Sequence, residues 1–245
     1  MSNNKPIIVA NWKCNPLDFR EAKKLFFAVA RKTKGNKGAE VVICPPFVFI
    51  PFFMERKGVL RLGAQNCFWR EKGAFTGEIS PFMLKGLGVE YVILGHSERR
   101  NYFREDNKTI NKKVRLALSS GLKVILCIGE KLTIRRKGKR AVENFLKNQL
   151  KAGLEGIKGK ELKNVFLAYE PIWAIGSGRA CPWEEAEKIK IFLKKVKRLP
   201  FLYGGSVNSE NARDFIKRAK VQGLLIGGAS LKPKEFAKII KESVL

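Results

Sequence analysis

The sequence predicts an α/β protein, a single domain over residues 1–245 folded as a closed parallel (β/α)8 barrel. Short apolar runs alternate regularly with amphipathic helical stretches, there are eight such runs, and no linker-like segment interrupts them. Strict alternation of strands and helices implies parallel pairing with right-handed crossovers. Eight units within 245 residues favour a closed barrel, although the periodicity alone also allows an open parallel sheet.

The predicted strands are short and rich in Val and Ile, as expected for strands that are buried on both faces. They cover residues 7–13, 40–44, 60–65, 91–95, 123–129, 165–170, 201–204 and 223–227. Helical periodicity covers 17–33, 106–119, 140–154 and 183–196, with shorter pieces at 48–57, 81–87 and 209–219 and a last helix at 233–244. Pro16, Pro182 and Pro233 stand where helices should begin, and Gly88 and Gly121 where they should end.

The bulk composition is that of a folded protein without membrane spans. The longest apolar run is too short to cross a bilayer, and the N-terminus leads directly into a predicted strand without a secretory signal. The 5 cysteines are an odd number, widely spaced, with no Cys-x-x-Cys pair. This pattern argues against a disulfide framework or a zinc site. We therefore expect a cytoplasmic protein that does not associate with membranes.

The formal net charge of +27 should attract small anions, and it also permits nucleic-acid binding. The basic residues are spread over predicted helix faces, and neither an RNA-binding aromatic signature nor zinc-finger spacing accompanies them. Most of these side chains are therefore expected to be solvated, and nucleic acid is not expected as the main partner. A basic nucleic-acid-binding protein on a barrel scaffold remains the alternative from a different functional class, instead of catalysis or alongside it.

The sixth predicted strand ends in a carboxylate, Glu170, at the rim where (β/α)8 barrels carry their chemistry. Pro171 disfavours helical backbone at Glu170 and ends the strand. A short loop with Ile175 follows, and then Gly176-Ser-Gly178. A carboxylate fixed beside a glycine-rich segment suggests a catalytic base under a closing lid. The simpler alternative is an incidental acid before a glycine turn.

His96, the only histidine, follows the fourth strand and precedes a predicted helical turn. The partial positive charge of a helix N-terminus disfavours a protonated imidazole, so a neutral ring would be able to donate a hydrogen bond to a substrate oxygen. Lys13 would supply a cation at the same rim, with Asn11 and Asn66 as polar contacts. Taken separately, the histidine is equally compatible with a structural role, and the lysine with a surface ion pair.

Glycine pairs follow the seventh and eighth strands, in Gly204-Gly205-Ser206 and Gly227-Gly228. Their backbone N–H groups are uncovered, and phosphate sites in this architecture commonly form at these two positions. No Walker or Gly-x-Gly-x-x-Gly motif is present, and a single histidine makes a metal site unexpected. A base, a neutral electrophile, a cation and a phosphate cradle suggest proton abstraction next to a carbonyl in a small phosphorylated substrate, without a cofactor.

Eight motifs in register make the chain resemble the triosephosphate isomerase family over nearly its whole length. They are Asn11-Trp-Lys13, Ala64-Gln-Asn66, Gly73-Ala-Phe-Thr-Gly-Glu78, Gly95-His-Ser-Glu-Arg-Arg100, Cys127-Ile-Gly-Glu130, Tyr169-Glu-Pro-Ile-Trp-Ala-Ile-Gly-Ser-Gly178, Tyr203-Gly-Gly-Ser-Val207 and Gly227-Gly-Ala-Ser-Leu231. The resemblance implies interconversion of dihydroxyacetone phosphate and D-glyceraldehyde 3-phosphate through an enediolate, in glycolysis and gluconeogenesis, without metal or coenzyme. Another phosphate-binding barrel, such as a sugar-phosphate isomerase or an aldolase with a Schiff-base lysine, is the alternative enzyme.

The resemblance also implies a role for each site residue. Glu170 matches the catalytic base, His96 the neutral electrophile, and Lys13 the cation that holds the substrate. Asn11 stands beside that lysine, and Glu98 matches its acidic partner. The positions that match the phosphate grip are Gly176, Ser206, Gly227 and Gly228, and those that match the apolar cover of the carboxylate are Ile175 and Leu225.

The family is dimeric or of higher order, so a homodimer is expected, with a tetramer as the alternative. The loop 69–79, from Trp69 to Ile79, resembles the loop that inserts into the neighbouring subunit, with Thr76 at its tip supporting Asn11 and Lys13. The chain departs from the family pattern at 179–181, in a shortened segment at 183–200, and in its charge. These departures leave the closing kinetics of the lid and the state of assembly open.

Overall fold

The computed structural model describes residues 5–54, 60–175 and 181–245, and these residues contain eight strands in a closed, all-parallel barrel. Each strand pairs with the next along the chain, and the first pairs with the last. The strands are β1 (Ile7–Asn11), β2 (Glu40–Cys44), β3 (Leu60–Ala64), β4 (Tyr91–Leu94), β5 (Lys123–Ile128), β6 (Val165–Tyr169), β7 (Phe201–Tyr203) and β8 (Gly223–Ile226). The predicted fold class is confirmed.

Helical segments connect the strands. Within the described ranges the α-helices are α1 (Phe19–Lys32), α2 (Ile50–Phe53), α3 (Pro81–Gly86), α4 (Ser97–Tyr102), α5 (Asn107–Ser119), α6 (Leu132–Arg135), α7 (Lys139–Gly153), α8 (Trp183–Val196) and α9 (Pro233–Val244). Short 3-10 segments cover Phe47–Phe49, Gly159–Asn164, Ile172–Ala174 and Gly228–Leu231, and a π-helical turn covers Asp214–Arg218. None of these helices has both the length and the apolar composition that a membrane crossing requires.

The strands begin at the predicted residues, but every strand except β2 ends one or two residues earlier than predicted. The difference is largest at β1, which ends at Asn11 rather than at residue 13. Lys13 leaves the ladder with a φ of 55°, and its N–H donates to the Asn11 side chain instead of to a neighbouring strand. The polar residues that follow the strands therefore belong to the rim loops and not to the sheet.

The helix predicted at 209–219 begins three residues later than predicted. Residues 212–218 are helical, and the π-helical turn Asp214–Arg218 is part of that run. The backbone N–H groups of Asn208 and Asn211 donate to each other's side-chain oxygens, at 2.9 and 3.0 Å. Such bonds between an asparagine side chain and nearby backbone compete with a helix and favour turns. The residues between β7 and Ala212 therefore form a loop, and part of it lines the cavity at the rim.

The helix predicted at 48–57 is also only partly correct. It is divided into the 3-10 turn Phe47–Phe49 and α2, which ends at Phe53, and residues 55–57 lie outside the described ranges. Pro16 precedes α1 rather than starting it, because Asp18 caps the helix and accepts the Glu21 N–H. The four residues of α6 are too few for helical periodicity to reveal. The α-helices α1, α3, α5, α7, α8 and α9 lie within two residues of the prediction, and α4 begins at Ser97, where only a helical turn was expected.

Two apolar layers hold the barrel together. The inner layer consists of alternate strand residues that point into the barrel, among them Val9, Val42, Ile93, Ile125 and Leu202. The outer layer lies between the strands and the helices and contains large rings, such as those of Phe26 and Phe53, which stack 4.1 Å apart. Because the inner layer is packed with buried side chains, the barrel is a core and not a pore, and the room for a site is at its rim.

Candidate active site

A cavity of about 560 Å³ opens at the rim formed by the C-terminal ends of the strands. The predicted site residues that line it are Asn11, Lys13, His96, Glu170, Ile175, Ser206, Leu225, Gly227 and Gly228. Pairing of β1 with β8 brings the two ends of the chain together here. A Cβ added to Gly227 would lie 3.1 Å from Lys13 Cε. The site therefore depends on closure of the barrel.

The Glu170 side chain is buried at the end of β6, with 1% of the residue exposed. Its Oε2 accepts a 2.9 Å hydrogen bond from the Ser97 backbone N–H. Its Oε1 lies 3.2 Å from His96 Nε2, without the alignment of a hydrogen bond, and has no hydrogen-bond partner among the described residues. Burial raises the pKa of the Cys127 thiol nearby, so that thiol is neutral beside the carboxylate. One oxygen of Glu170 is anchored, and the other is free to accept a proton.

His96 is the N-cap of α4, and the first turn of that helix orients its ring. Nδ1 accepts the Glu98 backbone N–H at 3.3 Å. Glu98 Oε2 is 3.6 Å from the same nitrogen, too far for a hydrogen bond, so the backbone contact decides the tautomer. A ring nitrogen that accepts a hydrogen bond carries no proton, and in the neutral ring Nε2 therefore holds the hydrogen. Nε2 is the nitrogen that lies beside Glu170.

Lys13 brings a positive charge to the wall of the cavity. Its Nζ forms an ion pair of 2.6 Å with Glu98 Oε1. Its backbone is fixed on both sides, since the Asn11 side chain accepts its N–H at 3.0 Å and Gln65 Nε2 donates to its carbonyl at 2.9 Å. Gln65 Nε2 also donates to the Cys44 carbonyl at 2.9 Å. The side chain that carries the ammonium group is therefore attached to a backbone held in place at both its N–H and its carbonyl.

The loops after β7 and β8 form the other end of the cavity. Gly227 precedes the short 3-10 segment Gly228–Leu231, and the first N–H groups of a helical turn have no partner within it. A Cβ added to Gly228 would meet no atom within 4 Å. The Ser206 hydroxyl donates to the Ala174 carbonyl at 2.9 Å and ties this loop to the segment after Glu170. Uncovered N–H groups of this kind suit an anionic group.

Some predicted residues lie away from the cavity wall. Glu98 contacts the site through Lys13 and His96. Thr76 is exposed in the loop 69–79 and does not line the cavity within this chain. Gly176 and the rest of the predicted lid up to residue 180 lie outside the described residues. Asn66, expected as a polar contact at the rim, instead accepts a hydrogen bond of 2.8 Å from buried Lys113.

Sequence reasoning missed two residues that hold the site from behind, Gln65 and Glu130. Glu130 is fully buried, and its Oε1 accepts the Tyr169 hydroxyl at 3.0 Å and the Trp173 indole N–H at 2.9 Å. Burial raises the pKa of Glu130. The two donors flank Glu170 along the chain. Both missed residues stand in motifs seen in the sequence, at 64–66 and 127–130, but a motif does not say which atoms its side chains contact.

Three asparagines that line the cavity were also missed, namely Asn15, Asn208 and Asn211. Asn211 Nδ2 donates to the Ser206 carbonyl at 3.3 Å. For Asn208 and Asn211 the available signal was the polar run 208–211, which begins after Val207.

The described residues contain no group of three or more His, Cys, Asp or Glu side chains placed to hold a metal ion. The cavity combines a carboxylate, an imidazole N–H, an ammonium group and uncovered backbone N–H groups, which suits removal of a proton from carbon and stabilisation of the resulting oxyanion.

Comparison with known proteins agrees with this chemistry. A family model described as triosephosphate isomerase matches residues 6–243. The triosephosphate isomerase of Dictyoglomus thermophilum is 41% identical over 97% of this chain and 99% of its own length. Those of Natranaerobius thermophilus and Caldanaerobacter subterraneus are 42% and 44% identical, over 97% and 96% of this chain and 95% and 98% of their own lengths. The matches span nearly all of both sequences, and the chain therefore belongs to the triosephosphate isomerase family.

Proposed function

We propose that Glu170, His96 and Lys13 carry out the reaction that family membership assigns to this chain, the interconversion of dihydroxyacetone phosphate and D-glyceraldehyde 3-phosphate. This reaction is an intramolecular oxidation and reduction, so the enzyme is an isomerase. One observation carries the assignment of roles. The free Oε1 of Glu170 and the Nε2 of His96 lie 3.2 Å apart on the wall of one cavity. A base and a hydrogen-bond donor so close together can act on adjacent atoms of one small molecule.

The proposed step begins when Glu170 takes a proton from the carbon next to the substrate carbonyl. The electron pair of the broken C–H bond forms the enediolate, and negative charge develops on the carbonyl oxygen. His96 Nε2–H donates to that oxygen, and Lys13 offsets its charge. Glu170 then returns the proton to the neighbouring carbon, while the hydroxyl proton moves between the two oxygens. Atoms and electrons balance within the substrate, which needs no other reactant.

Binding of the phosphate is proposed for the loops after β7 and β8. The backbone N–H groups at Gly227 and Gly228 would contact the phosphate oxygens, with Ser206 on the neighbouring loop. Gly176 is proposed to bind the same phosphate group, and this proposal rests on the sequence motif alone. Ile175 and Leu225 line the cavity as apolar groups and would exclude water from the reacting carboxylate, which strengthens the electrostatic interactions within the site.

The roles are tested with Glu170→Gln, which preserves the shape of the side chain and removes the base. We expect kcat in a coupled assay to fall by about 10²–10⁴-fold or more. In deuterated buffer, exchange of hydrogen into bound dihydroxyacetone phosphate should stop, while phosphate binding persists. Exchange at the wild-type rate in this variant would refute Glu170 as the base. Trapping of substrate on Lys13 by borohydride would instead indicate an aldolase.

A homodimer is proposed from the surface of the single chain. The loop 69–79 projects with all of residues 70–78 exposed, Thr76 included. Large apolar side chains are also exposed, namely Leu17 at 93%, Tyr102 at 79%, Val48 at 69% and Phe103 at 64%. Burial of such side chains against a second subunit would be favourable. In the proposed dimer, each loop would bring its Thr76 to Asn11 and Lys13 of the other subunit, and the cavity would be complete only in the assembly.

The dimer is tested by sedimentation velocity and activity over the same dilution series. We expect the sedimentation coefficient and the specific activity to fall together as the subunits separate. A monomer with full specific activity would refute the proposal, and a stable larger species would indicate a tetramer.

All five thiols are free, which supports a further proposal that the enzyme resides in the reducing cytoplasm.

A further inference from the structure

A second concave surface lies between α9 and the C-terminal end of α1. This groove, called here the lysine groove, has a volume of about 630 Å³. Its basic lining residues are Lys32, Lys34, Lys234, Lys238 and Lys241. Its apolar lining residues are Ala237, Ile240 and Val244. Lys32 ends α1, Lys34 lies in the turn after it, and the other three lysines belong to α9, so cations from both sides of the groove line it together with apolar residues.

The positive charge of the lysine groove is not neutralised. No residue that lines it is acidic. None of its five lysines forms an ion pair with any residue that the structure describes. Five uncompensated charges along one groove repel each other. Such an arrangement is stabilised by a polyanion that displaces the small counterions.

The spacing of the cations on α9 is regular. Lys234, Lys238 and Lys241 are four and three residues apart, so they project from one side of the helix. With a rise of 1.5 Å per residue, successive charges are about 4.5–6 Å apart along the axis. A ligand with several anionic groups at regular short intervals matches this row, whereas a triose phosphate has only one phosphate group.

The groove is far from the catalytic rim on its α1 side. Lys32 ends α1, and the turn after it leads directly into the start of β2 at Glu40. Asn36 fixes that turn through hydrogen bonds to the backbone of Ala39. The N-terminal ends of the strands lie at the opposite end of the barrel from the active site. A molecule bound there would leave the cavity at Glu170 open.

We propose that the lysine groove binds the phosphate backbone of a single-stranded nucleic acid, independently of sequence. The lysines on the two sides would hold one chain of phosphates, and the apolar lining residues would accept the sugars. No aromatic side chain lines the groove, so bases would not stack there and no base preference is expected. A membrane surface fits less well, because it would need cations that project together from one flat face rather than across a groove.

The test is the salt dependence of binding of a fluorescent eight-nucleotide RNA or DNA, measured by anisotropy. For single strands the slope of log K against log salt is about −0.7 per neutralised phosphate, so five contacts predict a slope of about −3.5. The variant K234Q/K238Q/K241Q should bind more weakly and reduce the slope by about 2. The matched control is K108Q/K112Q/R115Q, which removes the same charge at the same spacing from exposed positions on α5. It should keep the wild-type slope.

The outcomes separate the alternatives. If both triple variants bound the oligonucleotide more weakly by the same factor, the lysine groove would not be the binding site, and the net charge alone would account for binding. Binding to vesicles of anionic lipid without binding to the oligonucleotide would overturn it in favour of a membrane. Failure of the wild type to bind at 50 mM salt would also overturn it. Turnover at saturating substrate, kcat, should be unchanged in both variants, which shows that they fold and keeps this test independent of the proposed catalytic roles.

Discussion

Lys13 has a backbone conformation that residues other than glycine rarely adopt, with a φ of 55°. Such strain costs about 1–3 kcal/mol and persists only where surrounding contacts enforce it. Here Asn11 holds the N–H and Gln65 holds the carbonyl. The strained backbone fixes the Lys13 Cα, and with it the position from which the side chain extends to place its ammonium group at the cavity. The His96 side chain is also held in place before any substrate binds, because the Glu98 backbone N–H donates to its ring.

Replacement of the histidine tests this orientation. We expect His96→Gln to lower kcat by about 10²–10⁴-fold, because the amide is a weaker and less directed donor to the developing oxyanion. KM should change less, since the phosphate-binding loops are untouched. Steady-state kinetics measure both values. A variant whose KM rises while kcat stays at the wild-type value would show that His96 only binds substrate.

At the scale of elements, the ends of β5 and β6 lie unusually close together. A Cβ added to Gly129, the residue after β5, would lie 1.8 Å from the carbonyl oxygen of Glu170. Gly129 N–H is itself held by Gln149 Oε1 at 2.9 Å. No residue with a side chain fits there without separating the strand that carries the base from its neighbour. This position belongs to the motif at 127–130, and its packing explains why glycine is needed.

We therefore expect Gly129→Ala to reduce the free energy of unfolding by about 1–3 kcal/mol through overpacking. It should also lower kcat, because Glu170 would be displaced from Ser97 and His96. Urea unfolding and kinetics measure the two effects. The matched control is Gly86→Ala at the end of α3, where an added Cβ meets no atom within 4 Å and stability should be maintained. Unchanged unfolding in both variants would contradict the packing argument.

The N-terminus of α5 shows how a local contact makes stability depend on pH. Asp106 Oδ1 accepts the Thr109 N–H at 2.7 Å. Hydrogen bonds from Thr109 lower the pKa of Asp106 below its ordinary value of 3.8. A carboxyl whose pKa is lower in the folded state stabilises the fold above its unfolded pKa and loses that contribution as the pH falls through the folded pKa.

Asp106→Ala should therefore reduce the free energy of unfolding by about 1 kcal/mol at neutral pH. The difference from the wild type should shrink below about pH 4, where the unfolded carboxyl is already protonated. Asp106→Asn is the matched control, because asparagine keeps the cap without a titratable group. Urea unfolding between pH 3 and 7 measures all three proteins. A wild-type advantage over alanine that is constant across this range would contradict the role of the charge.

At the scale of the whole molecule, the excess of cations should act on the rate of substrate capture. The net charge is +27, and the substrate is an anion. Long-range attraction accelerates the encounter, and added salt screens it over about 10 Å at 0.1 M. The placement of the charge also matters, because the α1 side of the lysine groove lies away from the catalytic rim.

We expect kcat/KM to fall as NaCl is raised from low to physiological ionic strength, with a smaller change in kcat. The control variant K108Q/K112Q/R115Q, which has three fewer positive charges on exposed residues that do not line the substrate cavity, should show a shallower fall. Initial rates in a coupled assay measure both constants. If kcat/KM did not change with NaCl, the charged side chains would only interact with water at the surface and would not steer the substrate.

Much of the fold was predictable because its signals are local. Each strand is a short apolar run, and the starts of all eight agree with the structure. The boundaries that failed depend on individual side chains, such as Asn208, whose bonds to nearby backbone replace a helical turn. The candidate site was predictable to the extent that its residues directly follow strands. Their catalytic roles stay predictions until the variants are measured.

The sequence by itself determined the order of strands and helices and the set of ionisable residues at the rim, because both follow from residues adjacent along the chain. Only the tertiary structure decided that Gln65 would hold Lys13 and that Glu130 would bind Trp173. It alone brought lysines of α1 and α9 into one groove. The physical reason is that these residues belong to different strand–helix units, which meet only when the strands pair side by side and β1 joins β8. Contacts between segments so far apart depend on how the sheet closes, and local periodicity contains no information about them.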